Sequence, residues 1–499
     1  MRWGLFWTTI LVGVCCMSGV AVADDSMLGV VGGTVQAVPS TAIRMQAETV
    51  QAVLYRDFAE YRCDFRFENT GPASTVLLGF PFELPDSGSD FAGPPIGFHA
   101  WQDGQPLPVK VSRGLDAQDE VQFYTHTAEF RTGATTITVS YIAIPTEGVA
   151  DGVVTLPNGD SVQGWDTDYT YTLHSGSPWA GTIGTAVLRY SLSDAWVGLS
   201  PDDDMRERYS VQPGYDFPSA AEASVALSYT QPNTMTYQWV FKDIEPRLDS
   251  QGRSPYDLAF SFYRPSWYIT PGETAAEADN EPDFAPAPDV TASSSLKVRG
   301  REAPAENLVD GDPASAWAEG APGAGIGEHF RVTLDGTQPV AEVRILPGFA
   351  RTDELFHKYN RPRHVLVHFS NGTQEMLLLK DDPSLQRFKV SVQAEWADFT
   401  IVDIYPGTTG NDTYVSEVEL GEEAAPEFKP FGQLLRTAET TAAVAGASAV
   451  ASAVPAAGAT SATESASTGS DLGSLGPIGW ALLGLVFAGA AAIFWRMTA

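Results

Sequence analysis

Pro304-Ala305-Glu306-Asn307-Leu308-Val309-Asp310-Gly311-Asp312-Pro313-Ala314-Ser315-Ala316-Trp317 decides the fold of the C-terminal half. Asn307 and the Asp310-Gly311-Asp312-Pro313 run predict a tight loop, because Asn and Asp side chains bond their own backbone and glycine accepts a positive φ. The carbonyls and carboxylates of such a loop are hard oxygen ligands of the kind calcium takes; a turn without an ion accounts for the same residues. Trp317 closes the loop and predicts an aromatic plug in the core beneath it.

Downstream of Trp317, alternating apolar and polar residues occupy 330–334, 341–346, 364–369, 375–379, 386–392 and 398–404. Val415-Ser416-Glu417-Val418-Glu419-Leu420 closes the series. Short alternating runs punctuated by turn residues predict a β-sandwich over residues 291–422. Upstream, residues 271–290 are an acidic Pro/Ala linker carrying Glu273, Glu277, Asp279, Glu281 and Asp283. Residues 28–270 show the same alternation, at 52–67, 135–143, 186–192, 223–229 and 256–262, and predict one or two antiparallel β-sandwich domains. Asp103-Gly104 marks a hairpin between Ala100-Trp101 and the run at 108–111. The chain is expected to be mainly β.

The two ends carry targeting signals. Arg2, an apolar run over 5–14 and Ala21-Val22-Ala23 predict a secretory signal at 1–23. Residues 437–470 are almost entirely Ala, Ser, Thr, Val and Gly, which predicts a disordered stalk. An uncharged run at 475–495, with Trp480 and Trp495 near its ends and Arg496 following, meets the length of one transmembrane helix. A processed sorting signal is the rival reading of that tail. Together the ends predict an exported, single-pass membrane-anchored protein whose bulk is extracytoplasmic.

With 62 Asp+Glu against 30 Lys+Arg, the formal net charge of −32 excludes a nucleic-acid partner and docking on anionic lipid through a basic patch. Cleavage of the signal leaves Cys63 as the one thiol, on the same strand face as Tyr61, Phe65 and Phe67, which predicts a buried thiol and no internal disulfide. His174-Ser175-Gly176-Ser177 reads as a turn and Asp202-Asp203-Asp204 as a solvated acidic loop, since neither has the spacing of a catalytic or calcium motif. Trp101, Trp165, Trp179 and Trp239 read as core aromatics. His364 and His368 share a strand face, but with His329 they make no metal set.

Asn-Leu-Val-Asp-Gly-Asp-Pro-x-Ser-x-Trp with a closing Ser-Glu-Val resembles the discoidin (coagulation factor type C) domains. Glu319-Gly320, Gly325-Ile326-Gly327-Glu328, Pro347-Gly348-Phe349, Tyr359-Asn360-Arg361-Pro362, Asp403-Ile404-Tyr405-Pro406-Gly407-Thr408 and Asp412-Thr413 resemble its glycan-binding subgroup associated with translocation of bacterial NAD glycohydrolases. Pro347 departs from that pattern, where a polar residue is expected. The resemblance implies a discoidin-like jelly-roll that binds carbohydrate without catalysis. It implies ligand contacts at Phe356, His357, Tyr359, Asn360 and Arg361, with Trp317 and Tyr405 as further aromatics, and structural calcium at Asp310, Asp312 and Glu417. The bland alternative puts Phe356 and Tyr359 in the core and pairs Arg361 with an acid. Residues 28–270 diffusely resemble an uncharacterised family of bacterial secreted sandwich domains, through Phe67-Glu68-Asn69-Thr70, Gly79-Phe80-Pro81-Phe82 and Trp179-Ala180-Gly181-Thr182-Ile183-Gly184.

The sequence thus predicts a non-enzymatic surface protein whose partner is carbohydrate or envelope polysaccharide. A protein-interaction scaffold, with the N-terminal sandwich as partner surface, is the first alternative. A glycan hydrolase is the second, and it lacks a carboxylate pair that the sequence could place at working separation.

Overall fold

The computed structural model describes residues 22–437, apart from 24–25, 32–33, 38, 56–57, 83–93, 117–118, 156–160, 194–226, 234, 248–255, 266–288 and 299–300. The signal up to residue 21, the Asp202-Asp203-Asp204 loop, the linker up to residue 288, the stalk beyond 437 and the apolar run 475–495 lie outside the described residues. Among the described residues no helix is long and apolar enough to cross a membrane. The chain is mainly β, and its sheets stack as sandwiches.

The largest N-terminal sheet has eight strands. Their spatial order is Leu227–Asn233, Thr236–Ile244, Ile183–Leu192, Ile43–Leu54, Ala59–Asn69, Gly133–Ala143, Ile96–Gln102 and Gln105–Leu107. Its inner face packs on two smaller assemblies. One is a closed ring of Asp119–Phe130, Ser74–Phe82, Ser26–Val31, Thr34–Ala37 and Lys110–Asp116. In the other, Ser161–Thr172 pairs with Thr146–Thr155, Leu258–Pro265 and Val22–Ala23. One continuous core joins them: Tyr61, Cys63, Phe65 and Phe67 meet Phe80 and Phe130 of the ring and Tyr169, Tyr171 and Leu258 of the small sheet. Cys63 is buried and takes part in no disulfide among the described residues, as its strand face predicts.

Three expectations need correction. The run at 52–67 is not one strand, because the chain reverses between Leu54 and Ala59, closed by Tyr55 N donating to Phe58 O at 2.9 Å. The pairing is not wholly antiparallel. Ile183–Leu192 runs parallel to Ile43–Leu54, an arrangement that a long crossover permits and a hairpin forbids. Asp103-Gly104 does make a two-residue hairpin with φ of 49° and 79°, but its second strand is Gln105–Leu107, earlier than 108–111.

The C-terminal sheet has the order Trp317–Ala318, Tyr414–Gly421, His329–Pro347, Gln386–Tyr405, Arg361–Phe369 and Gln374–Leu378, with Asp289–Ala292 also paired to His329–Pro347. The runs at 330–334 and 341–346 are one long strand, and so are 386–392 and 398–404; their shared ladder skips register between Thr333 and Gln338. Such an irregularity bends both strands, so that one pair serves both layers of the sandwich. Trp317 fills the core against Phe330, with ring centroids 5.3 Å apart.

Part of the outer face of the eight-stranded sheet is covered as well. Val53, Tyr55, Phe58, Ile96 and Ile142 form one apolar cluster with Leu346, Ala350, Leu385 and Ala425 of the C-terminal sheet and its tail. Arg387 pairs with Glu60 across this seam, and Tyr55 donates to Glu60 at 2.8 Å. Arg344, almost wholly buried, is held by Glu342 at 2.8 Å, Glu419 at 3.1 Å and the Glu423 carbonyl at 2.9 Å. Burial alone would lower Arg387, but the charge of Glu60 outweighs it and holds the guanidinium above its ordinary value. Beyond Gly421 the chain returns over the sheet. Gln51 clasps Lys429 through both backbone groups, at 2.7 and 2.9 Å, and Leu434 packs on Val187 and Val240. Gly97 lies under Pro383 with φ 59°, where a Cβ would collide with the Pro383 carbonyl.

Candidate functional site

The predicted ligand contacts converge on one end of the C-terminal sandwich. Thr352 caps the short helix Asp353–Lys358 by accepting from Leu355 N at 3.2 Å. The helix turns Phe356 inward, fully buried, and His357 outward. Gly348, at φ 76°, lets the chain pass the Phe356 ring, which a Cβ there would meet at 2.7 Å.

Arg361 begins the next strand and is buried. It binds Asp381 with both prongs, Nε to Oδ1 at 2.6 Å and Nη2 to Oδ2 at 2.7 Å. Its guanidinium lies 4.9 Å from the Phe356 ring and 5.9 Å from Tyr405. Arg363, half-exposed, lies 5.6 Å from the same Tyr405 ring and 3.5 Å from Asp403. Tyr405 is fixed by donating from its hydroxyl to Leu379 O at 3.0 Å. A two-pronged ion pair holds a planar group in one orientation, which suits recognition better than a free side chain does.

Asn360 is buried and staples the neighbouring loop. It donates to Asn411 O, accepts from Gly407 N at 2.8 Å, and its backbone bonds Asp412 and Tyr414. Tyr359, partly exposed, leans on Tyr414 at 4.5 Å; Tyr414 in turn stacks on Phe349 at 5.5 Å. Burial, followed by the neighbouring Tyr359, Asp412 and Glu319, pushes the Tyr414 hydroxyl well above its ordinary value, so it stays neutral. Beneath this stack Glu319 is buried and accepts from Ala321 N at 2.8 Å and Thr413 N at 3.3 Å. Burial raises its carboxyl above the usual range.

Phe356, His357, Tyr359, Asn360, Arg361 and Tyr405 are thus brought together, with His357, Tyr359 and Tyr405 reaching solvent. Trp317 lies apart, wholly buried, its indole donating to Ser294 O at 3.0 Å. Asp310, Asp312 and Glu417, the acids expected to hold calcium, do not gather into one group of three. Asp310 accepts from Asp312 N at 2.9 Å and Ser315 Oγ at 2.8 Å, Asp312 accepts from Ala314 N, and Glu417 is buried. No three His, Cys, Asp or Glu side chains among the described residues are grouped to hold a metal ion. Both Asp310 oxygens and one Asp312 oxygen accept from the turn's own donors.

Sequence reading missed Asp381, which fixes Arg361, along with Phe349 and Tyr414. An exposed acid twenty positions from Arg361 carries no local signal. It also missed the neighbour of Asp381. Asp382 Oδ1 lies 2.9 Å from His99 Nε2 of the eight-stranded sheet, so adjacent aspartates tie the site to the seam.

Residues 285–421 match the family described as NAD glycohydrolase translocation F5/8 type C domain. No curated protein matches the chain. Among solved structures, a proposed nutrient-binding protein of Legionella pneumophila is similar at 15% identity, over 49% of this chain and 70% of that one, with a TM-score of 0.32. The family 32 carbohydrate-binding module of Clostridium perfringens NanJ, solved with galactose, is similar at 15% identity over 26% of this chain and 91% of that one, with a TM-score of 0.21. A pectin-binding carbohydrate-binding module is similar at 17% identity over 28% and 94%, also at 0.21.

Proposed function

We propose that this chain is an exported, membrane-anchored surface protein that binds carbohydrate through its type C domain and performs no chemistry on it. The observation that carries the reading is the pre-set cluster around Tyr405. A partly exposed ring lies beside the guanidinium forks of Arg361 and Arg363, on a scaffold fixed by Asp381 and Asn360. Sugars offer flat C–H faces and rings of hydroxyls, which aromatic surfaces and planar donors match. Phe356, Asn360 and Arg361 then act by positioning, while His357, Tyr359, Arg363 and Tyr405 make the contacts. The signal at 1–23 and the apolar run at 475–495 support export and anchoring.

A glycan array probed with the full chain in detergent tests this. Tyr405→Ala and Arg363→Ala are expected to weaken binding about tenfold each, the loss of roughly 1.4 kcal/mol of contact. Absence of any bound carbohydrate, or binding unchanged in both variants, would remove the reading. A second reading, separate from a scaffold that uses the N-terminal sandwich, is a protein interface at the exposed Met376, Leu378 and Val402 of the C-terminal sheet. Charges introduced there would abolish capture of a protein partner and leave array binding untouched.

A further inference from the structure

In the strand Ile96–Gln102 every second residue turns inward: Phe98 and Ala100 enter the core, while His99 and Trp101 face out. Trp101 is half-buried on the outward side of the sheet, where an indole forgoes part of the burial that favours it in cores. Here it has company. The register places Trp101 opposite Thr138, and Thr138 opposite Asp64. One row nearer the seam, His99 lies opposite Ser140, and Ser140 opposite Arg62. With neighbouring strands about 4.8 Å apart, the row from His99 to Arg62 spans roughly 10 Å, and Trp101 stands roughly 7 Å along the strand from His99.

These groups are fixed. Arg62 binds Asp64 with two prongs, at 3.1 and 2.9 Å, and Asp64, itself buried, also accepts from Thr138 Oγ1 at 2.7 Å. The His99 and Trp101 rings lie 5.7 Å apart. His99 reaches Asp382, whose neighbour Asp381 holds Arg361 of the type C site. The outward ledge of the eight-stranded sheet and the loop cluster of the type C domain therefore adjoin across one ion pair.

We propose that the carbohydrate site continues over the seam onto this ledge, with Trp101 as stacking platform and Arg62, His99 and Ser140 as polar contacts. The ligand class follows: an oligosaccharide several sugars long, touching both domains, where the loop cluster alone would hold its end. The inference rests on the glycan reading above. Like the Tyr405 cluster, the ledge sets an aromatic ring near a guanidinium held by a two-pronged carboxylate pair, and groups already held in place lose little freedom when a ligand arrives. Trp101 belongs neither to the apolar cluster of the seam nor to that of the core.

Binding of the full chain to arrays printed with galacto-, gluco- and galacturono-oligosaccharides, each as a ladder from monosaccharide to hexasaccharide, tests it. The unaltered chain is expected to bind hexasaccharide at least tenfold tighter than disaccharide in the ladder it recognises. Trp101→Ala should erase that gain and leave disaccharide binding as it was, and Trp101→Tyr should restore most of it. Tyr405→Ala should weaken both lengths. A hexasaccharide advantage that survives Trp101→Ala, or an equal loss at both lengths, overturns the ledge while leaving the type C site standing. No binding to any ladder by the unaltered chain overturns the glycan reading and the ledge with it.

Discussion

Two sheet faces of this molecule look alike in sequence and meet opposite fates. The outer face of the eight-stranded sheet carries Gln51, Val53, Glu60 and Ile142, and the type C domain with its tail lies over them. The outer face of the C-terminal sheet carries Leu366, Met376, Leu378 and Val402, and the last three stay exposed. Apolar content therefore does not tell which face is covered. The charged residues do. Glu60 pairs across the seam with Arg387, and Arg344 lies under the seam among Glu342, Glu419 and Tyr55. On the open face, Arg331 pairs with Asp398 at 2.7 Å under partial solvent and stacks on Trp396 at 4.0 Å. A charge taken out of water needs complete partners, and only a committed interface supplies them.

The largest expected effect follows from that contrast. Arg344→Ala strands Glu342 and Glu419 beneath the seam and should cost about 3–5 kcal/mol, read from urea unfolding. Arg331→Ala on the open face should cost no more than about 1 kcal/mol. Equal losses for the two would mean that the seam is as wet as the open face. Smaller, and confined to the seam, is the loss in Gly97→Ala. Overpacking against Pro383, added to a positive φ, should cost about 2–3 kcal/mol. Gly104→Ala, at φ 79° on the open hairpin with nothing within 4 Å, pays the backbone strain alone and should cost about 1–2 kcal/mol.

The same contrast explains what the sequence could and could not disclose. The loop from Asn307 to Trp317 was legible because its information is local: Asx residues cap their own turn and Trp317 drops into the core a few positions later. Period-two alternation placed most strands for the same reason. The seam was illegible, since Glu60 and Arg387 are 327 positions apart and each reads as an ordinary solvated charge. Arg361 stood out by motif, yet its partner Asp381 did not. Trp101 read as core because tryptophan usually is, and only the register with Thr138 shows it turned outward.

The smallest effect sits where the two regions meet, at His99 and Asp382. Burial pushes the Asp382 carboxyl up, but the hydrogen bond and charge of His99 act against it and prevail, leaving it below the usual 3.8. A carboxylate depressed in the folded state binds fewer protons folded than unfolded around its titration. Its contribution to stability is thus complete above 3.8 and is lost as the pH falls through the folded value. Both side chains are about one-third exposed, so water screens the pair and the contribution stays under about 1 kcal/mol. His99→Gln keeps one N–H for Asp382 and removes the charge. The variant should melt slightly below the unaltered chain at about pH 5, and the gap should close by about pH 2, where Asp382 is protonated in both folded and unfolded chains. A gap that persists undiminished in acid would assign the role of His99 to packing beside Trp101, and the seam would then be held by shape and by the Glu60–Arg387 pair without help from this one.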